Sequence, residues 1–406
     1  MRVLHVIDGV DPRCGGPLYV LRNIIRRQVQ AGYDVALAAT NVQAVEPWAP
    51  NDEYLRRMYA EPDFSGAEVY LGRAFGRSRP WSSYAFSPQC RRWLKRRVAD
   101  PRTSPDVIHI HGVFSHVISQ AAALGRRRSI PYLIEPFGCL DTTCFRLGAA
   151  RLKKLFMHFT LRKILLQAAC VHPASQYEAD QLLRWIPGNN IRVVPHGVDL
   201  PDSYGREAGW ELLSRFPQLD GKRVLLFMGR IHPIKRPELI VEAMACLKSK
   251  HPNLALLMVG NDEGHMAVVY EAARKHGIEG AIVEGGFLRG ELKRAAFAAA
   301  DIFVQTSAHE NFGVTVVEAM AHAVPALVTP GVAAHCFLDQ SGAGLTVDDS
   351  PEAIAQGMET LLAGDRDAIG GRGREFVERH LTWPRVIQQF EQLYQEFMAR
   401  PQVHTG

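Results

Sequence analysis

Five side chains of the kinds that bind or move charged groups sit where an apolar run gives way to a glycine- or proline-bearing loop. Glu310 and Glu318 bracket the stretch after the apolar residues Ile302, Phe303 and Val304, with seven residues and Gly313 between them. Arg230 and Lys235 follow the apolar run RVLLFM in the same way, five positions apart, with Pro233 and Pro237 fixing the loop. His111 ends the run VIHIH beside Gly112. A loop of small residues that feeds a helix offers free backbone N–H groups to an anion, and carboxylates on either side can hold hydroxyls. Arginine binds such an anion in a bidentate manner and lysine as a point charge. A diphosphate carrying hydroxylated ends, as in a sugar nucleotide, meets all of these groups at once. The plainer reading makes Glu310 a helix-dipole partner, Glu318 a solvated helix residue and the two cations surface charges.

The elements that must position these groups follow from periodicity. Residues 301–329 read as strand, loop, helix and strand, half a turn of a doubly wound sheet, and ligands of such sheets gather at the carboxyl ends of strands. The runs 2–7, 34–40, 67–71, 106–112, 131–138 and 191–199 are expected strands of a first half; 223–230, 254–260, 281–287, 301–305 and 325–329 are expected strands of a second. A polar stretch from about 200 to 220 is the natural linker. A helix is expected from about Leu18 to Gln30, after the paired Gly15 and Gly16, and a last one from Pro384 to about Met398. The glycine pair either lets backbone approach a phosphate or simply makes a tight turn, and the dinucleotide pattern G-x-G-x-x-G is absent. His109 and His111 lie two apart on a strand and share a face.

With 406 residues the chain has length for two domains, and 22% charged residues describe a globular protein rather than a disordered one. No apolar run approaches bilayer length, and the opening MRVLHVIDGV, interrupted by His5 and Asp8, reads as a strand rather than a leader, so a cytoplasmic protein is expected. Seven cysteines without a C-x-x-C pair suit scattered thiols. Asp365-Arg366-Asp367 reads as a helix start rather than a metal site. The net charge of +5 is uneven: residues 1–200 hold 27 Lys and Arg against 16 Asp and Glu, and the remainder 20 against 26. A basic first half points to an anionic partner, a membrane surface or nucleic acid. In it, RLKKLFMHFTLRK places Leu152, Leu155, Phe156 and Phe159 on one helical stripe among Arg151, Lys153, Lys154, Arg162 and Lys163. That stripe either faces the core or lies on anionic lipid.

The segments GRIHPIKRP and HENFGVTVVEAMA, with GGP at 15–17, HIHG at 109–112, ASQYEADQL and VVPHGVD, resemble the landmarks of family-four retaining glycosyltransferases of the glutamate-x7-glutamate type. The resemblance spans essentially the whole chain and is weakest over 41–105. It implies an α/β GT-B fold, two Rossmann-like doubly wound domains facing a central cleft. Residues 1–205 would be the acceptor domain and 206–383 the nucleotide-sugar domain, with a last helix of about 384–400 packing back on the first. It implies that Arg230 and Lys235 neutralise the donor diphosphate and that Glu318 binds ribose. Glu310, with the backbone of Asn311, Phe312, Gly313 and Val314, would hold the transferred sugar. Gly15 and Gly16 would approach the phosphates, Phe287 would lie by the base, and His111 would contact the sugar near its reacting carbon. The implied reaction is retaining transfer from a nucleotide sugar to a saccharide or lipid-linked saccharide, with no metal, no cofactor and no nucleic acid; the basic first half, separately, would dock a cytoplasmic chain on the inner face of a membrane. Rival readings on the same frame are a nucleotide-sugar epimerase, a sugar phosphorylase and a non-enzymatic binder of anionic surfaces. Two departures stand out: His196 occupies the place where the family usually has asparagine, and 330–344 lacks the usual glycine-glycine and glutamate pattern.

Overall fold

The computed structural model describes residues 1–10, 16–41, 64–75, 86–141, 150–202 and 209–399. The chain divides into two units, Met1–His196 with Val386–Gly406, and Gly197–Arg385.

The first unit is built on six parallel strands: β1 (Arg2–Gly9), β2 (Asp34–Thr40), β3 (Glu68–Gly72), β4 (Val107–His111), β5 (Tyr132–Glu135) and β6 (Cys170–Val171). Their order in the sheet is β3-β2-β1-β4-β5-β6, so the winding reverses between β1 and β4. Helices cover both faces of such a sheet, which is why β1, β2 and β4 are buried along nearly their whole length. Those helices are α1 (Gly16–Gln30), α2 (Pro88–Ala99), α3 (His116–Arg127), α4 (Ala150–Phe156), α5 (Arg162–Leu166) and α6 (Gln176–Leu182). Serine side chains cap three of them: Ser87 accepts from Cys90 N, Ser115 from Ile118 N and Ser175 from Glu178 N.

The second unit repeats the plan. Its strands are β7 (Arg223–Met228), β8 (Leu254–Val259), β9 (Ile282–Gly286), β10 (Ile302–Gln305), β11 (Ala326–Val328) and β12 (Gly344–Thr346), all parallel, in the order β12-β11-β10-β7-β8-β9. Between and after them run α7 (Trp210–Arg215), α8 (Glu238–Leu247), α9 (Met266–His276), α10 (Gly290–Ala299), α11 (Val314–Ala321), α12 (His335–Ser341), α13 (Pro351–Ala363) and α14 (Arg366–His380). Asp301 fixes β10 to β7 at the amino end: its buried carboxylate accepts from Arg223 Nε at 2.9 Å and from Val224 N at 2.7 Å. Asp365 caps α14, accepting from Asp367 N and Ala368 N, as the sequence suggested. The last helix, α15 (Trp383–Ala399), begins at Trp383, which is buried in the second unit against Gly197, and carries Phe390 and Tyr394 into the core of the first.

Two expectations change. The run 191–199 is not a strand: Pro195 and Gly197 interrupt it, and it makes only single bridges, Val171 with Ile191 and Val198 with Thr382. The short edge strands β6 and β12 carry too few residues to show a period. The basic helix of residues 151–163 is not one α-helix either, because the π-helical turn Met157–Leu161 separates α4 from α5. Its buried stripe is Met157, Leu161 and Leu165, while Leu152, Leu155 and Phe159 are exposed at 56%, 59% and 70%. Phe156 alone of the expected stripe packs partly against that core. Among the described residues no helix is long and apolar enough to cross a membrane.

Candidate active site

The loops that carry the expected residues leave the carboxyl ends of neighbouring strands of the second unit. β7 runs into Gly229 and Arg230, and the Arg230 guanidinium pairs with Glu263 at 2.8 Å, from the loop after β8. The two loops approach so closely that a Cβ on Gly260, whose φ is +147°, would fall on the carbonyl of Gly229. A 3₁₀ turn, Pro233–Lys235, follows, capped by the His232 side chain, whose Nδ1 accepts from Ile234 N at 3.1 Å. Arg236, at φ +47°, turns the chain into α8 and donates from Nε to Thr306 O at 3.0 Å. Thr306 returns its hydroxyl to the carbonyls of Lys235 and Arg236 at 3.1 and 2.8 Å. Ala308 N donates to Ile234 O at 2.8 Å. Those bonds stitch the loop after β7 to the loop after β10.

This stitching brings Lys235 and Glu310 together: the ammonium is bonded to Oε2 of the carboxylate, which also accepts from Gln305 Nε2 at 3.2 Å. The loop after β11 holds Glu310 from the other side. Glu310 N donates to Gly331 O at 2.8 Å and Ala333 N to Glu310 O at 2.9 Å. Only glycine fits at 331, since an added Cβ would lie 2.4 Å from Ala308 O. Thus the segment that departs from the family pattern positions Glu310 through backbone, which no side-chain pattern can reveal.

Gly313, at φ +87°, precedes α11, and no side chain caps that helix. Val316 and Val317 N–H groups reach back to Gly313 O, while those of Val314 and Thr315 have no partner inside the helix and face outward with its positive dipole end. Phe312 is buried, edge-on to Phe337 at 5.7 Å, so it anchors the loop and offers a ligand only backbone. Glu318, in the second turn of α11, pairs with Lys293 of α10 at 2.6 Å. Phe287, just after β9, is 56% exposed, with the Arg289 guanidinium 4.8 Å from its ring centre. The structure therefore joins Lys235 to Glu310 directly, and gives Arg230 and Glu318 separate partners, Glu263 and Lys293. Neither partner was singled out from the sequence, where nothing but charge distinguishes them.

In the first unit Gly15 lies outside the described residues, and Gly16 opens α1 with nothing within 4 Å of an added Cβ. His111, expected to contact a sugar, is fully buried with both ring nitrogens engaged. Its Nδ1 lies 3.0 Å from Glu135 Oε2, its direct neighbour across β4 and β5, and its Nε2 lies 2.9 Å from His5 Nδ1. Glu135 Oε1 meets His196 Nε2 at 2.7 Å, so the histidine that departs from the family pattern completes a buried triad. Burial alone would raise the Glu135 carboxyl, but hydrogen bonds from His111 and His196 hold it well below the usual range. His109 does share a face with His111, their ring centres 4.2 Å apart, and its Nε2 meets His172 Nε2 at 2.6 Å. Two trios among the described residues, His5, His109 and His111, and His109, Glu135 and His172, place metal-ligand types of atom within 4.8 Å of one another. The ring contacts of 2.9 and 2.6 Å are hydrogen-bond lengths, shorter than the roughly 3.3 Å that imidazoles around a tetrahedral zinc would keep.

Two parallel sheets of identical winding, each with helices between its strands, make the GT-B fold. Residues 15–197 match the family model described as "Glycosyl transferase 4-like domain" and residues 211–376 the one described as "Glycosyl transferases group 1". The chain belongs to the family-four glycosyltransferases. It is 25% identical to a GDP-mannose:cellobiosyl-diphosphopolyprenol alpha-mannosyltransferase of Xanthomonas oryzae pv. oryzae, over 100% of both chains. In structure it is similar to sucrose-phosphate synthase of Thermosynechococcus elongatus, with a TM-score of 0.77 and 20% identity over 98% of this chain and 99% of that one. A glycosyltransferase of Rickettsia africae matches with a TM-score of 0.76 and 16% identity, over 98% and 99%.

Proposed function

We propose that this chain is a retaining, metal-independent hexosyltransferase, carrying a sugar from a nucleotide-sugar donor to a saccharide or lipid-linked saccharide in polysaccharide or glycolipid synthesis. The observation that carries the reading is the Lys235–Glu310 pair beside the uncapped start of α11. Departure of a diphosphate must be stabilised more in the transition state than in the ground state. Lys235, Arg230 and the first N–H groups of α11 supply the positive charge for it. Glu310, already bonded to Lys235 and Gln305, positions the sugar with the backbone of Asn311, Phe312, Gly313 and Val314, rather than attacking it. Glu318 takes the ribose hydroxyls and exposed Phe287 the base. The name of the Xanthomonas relative, which pairs a nucleotide sugar with a lipid diphosphate-linked disaccharide, supports the donor and acceptor classes.

A specific surface favours an accessory membrane role in the cytoplasm. Leu152, Leu155 and Phe159 stand exposed among Arg151, Lys154, Arg162 and Lys163, as on a helix face lying in an anionic lipid interface. A panel of nucleotide sugars, scored first by thermal stabilisation and then by transfer with retained anomeric configuration, tests the main reading. Conversion of the donor alone to an isomeric nucleotide sugar, or an inverted product, would overturn it.

A further inference from the structure

Polar side chains from separate elements of the first unit form one buried chain. Gln28 of α1 stands in its middle, with Oε1 2.7 Å from His5 Nε2 and Nε2 donating to the Tyr394 hydroxyl at 3.1 Å. From His5 the chain passes to His111 at 2.9 Å and from His111 to Glu135 at 3.0 Å. From Tyr394 a branch passes to His109 Nδ1 at 2.7 Å and on to His172. Gln28, His5, His111 and Glu135 are all essentially without exposure.

The protons in this chain can be counted. An amide oxygen and a carboxylate only accept, so the bond to Gln28 needs a proton on His5 Nε2 and the bond to Glu135 one on His111 Nδ1. The contact between the two rings needs a third. Two neutral imidazoles carry two protons, so three bonds require one of the rings to be an imidazolium. The ring beside the carboxylate is His111, where the added charge is paired and hydrogen-bonded rather than left alone in the interior.

We propose that Gln28 is a positioning residue that, by presenting its amide oxygen to His5, holds His111 as an imidazolium against the Glu135 carboxylate. Were the amide turned, its NH₂ would donate to His5 Nε2 and His5 Nδ1–H to His111 Nε2. His111 Nδ1–H would still donate to Glu135, and the third proton would pass to water. Amide orientation and proton content are thus one variable. The groups facing His111 are His5 from β1, His109 on its own strand, Glu135 from β5, and His172 and His196 beyond β6. Phe137, at φ +53° and half-buried, lies over His111 and His196 at 6.0 and 5.9 Å between ring centres and adds no charge. The surplus proton does not belong to His5 or His172, which burial first, then the His111 charge on His5, press down to about 3 and about 4. Glu135 stays ionised under its two imidazole bonds.

The test uses the full chain with ¹⁵N-labelled histidine, the His111 signals being identified by their loss in His111→Asn. In the wild type at pH 7 both His111 ring nitrogens should show the protonated signature. Gln28→Met removes the accepting oxygen, and His111 should then lose its second proton at a pH lower by about one unit or more. Gln28→Glu restores an acceptor and should keep His111 doubly protonated. A neutral His111 in the wild type at pH 7, or an imidazolium unchanged in Gln28→Met, would overturn the proposal. Should Gln28→Met fail to fold, the wild-type spectrum and Gln28→Glu decide.

Discussion

The ammonium of Lys235 and the carboxylate of Glu310 neutralise each other across two loops that leave adjacent strands. A pair of this kind holds each side chain in place and is largely shielded from water, so either partner alone is poorly accommodated. Alanine at Glu310 or at Lys235 should each lower kcat/KM by about a hundredfold or more, and the double variant should lose scarcely more than the worse single one. Steady-state kinetics with a circular-dichroism check of the fold measures this. Additive losses would mean that the two act separately.

Arg230 differs because its ion-pair partner, Glu263, is half-exposed, as it is itself. Arg230→Ala should leave the unfolding midpoint within a degree or two, since exposed ion pairs contribute at most about 1 kcal/mol, while turnover falls at least tenfold. Unchanged turnover would remove Arg230 from the diphosphate-binding set.

Gly331→Val places a branched side chain where Ala308 O and Ser307 O already sit. The loop carrying Glu310 must shift, so a loss in kcat comparable to that of Glu310→Ala is expected, with a stability loss of about 1–3 kcal/mol. Kinetics close to wild type would show that the backbone bonds between 310 and 331–333 do not position the carboxylate.

Acid should weaken the first unit well before it affects ordinary carboxylates. Burial lowers His5 to about 3 and His172 to about 4, and presses His109 down as well, with neighbouring imidazoles adding to it. In the unfolded chain these rings take up protons near pH 6.5. The unfolded state therefore binds more protons below that value, and stability is lost as pH falls from about 6.5 toward 4, by up to about 1.4 kcal/mol per pH unit for each ring. Denaturant titrations at pH 7, 6 and 5 measure the slope. A flat profile would contradict neutral burial of these rings.

Leu155→Asp with Phe159→Asp changes an exposed face, so unfolding free energy should move by no more than about 0.5 kcal/mol. Flotation with anionic vesicles at low salt should drop at least severalfold. Equal flotation of variant and parent would dissociate this face from lipid.

Much of this was legible because parallel strands and their following loops obey local rules. β2 appeared as Asp34–Thr40 from its apolar run, and the loops bearing Arg230, Lys235 and Glu310 appeared from glycine and proline. The rest depends on contacts distant in sequence. Lys293 and Glu263 look like ordinary surface charges until the fold brings them to Glu318 and Arg230. His111 read as a ligand-facing group at a strand end because period and position say nothing of Glu135 and His5 on the strands to either side. At Leu152 the stripe went outward while Met157, Leu161 and Leu165 went inward, a choice between two apolar stripes that periodicity alone does not rank.

The last helix gives the first unit a peculiar order of assembly. Phe390 and Tyr394, fully enclosed there, touch His109 and His172, yet some 190 residues of the other unit are translated between them and β6. While a ribosome is still making those residues, the early strands lack the hydroxyl and the aromatic ring that close over their histidines. The half synthesised first is therefore the half completed last, and a nascent chain released before Val386 would leave that polar interior open to water.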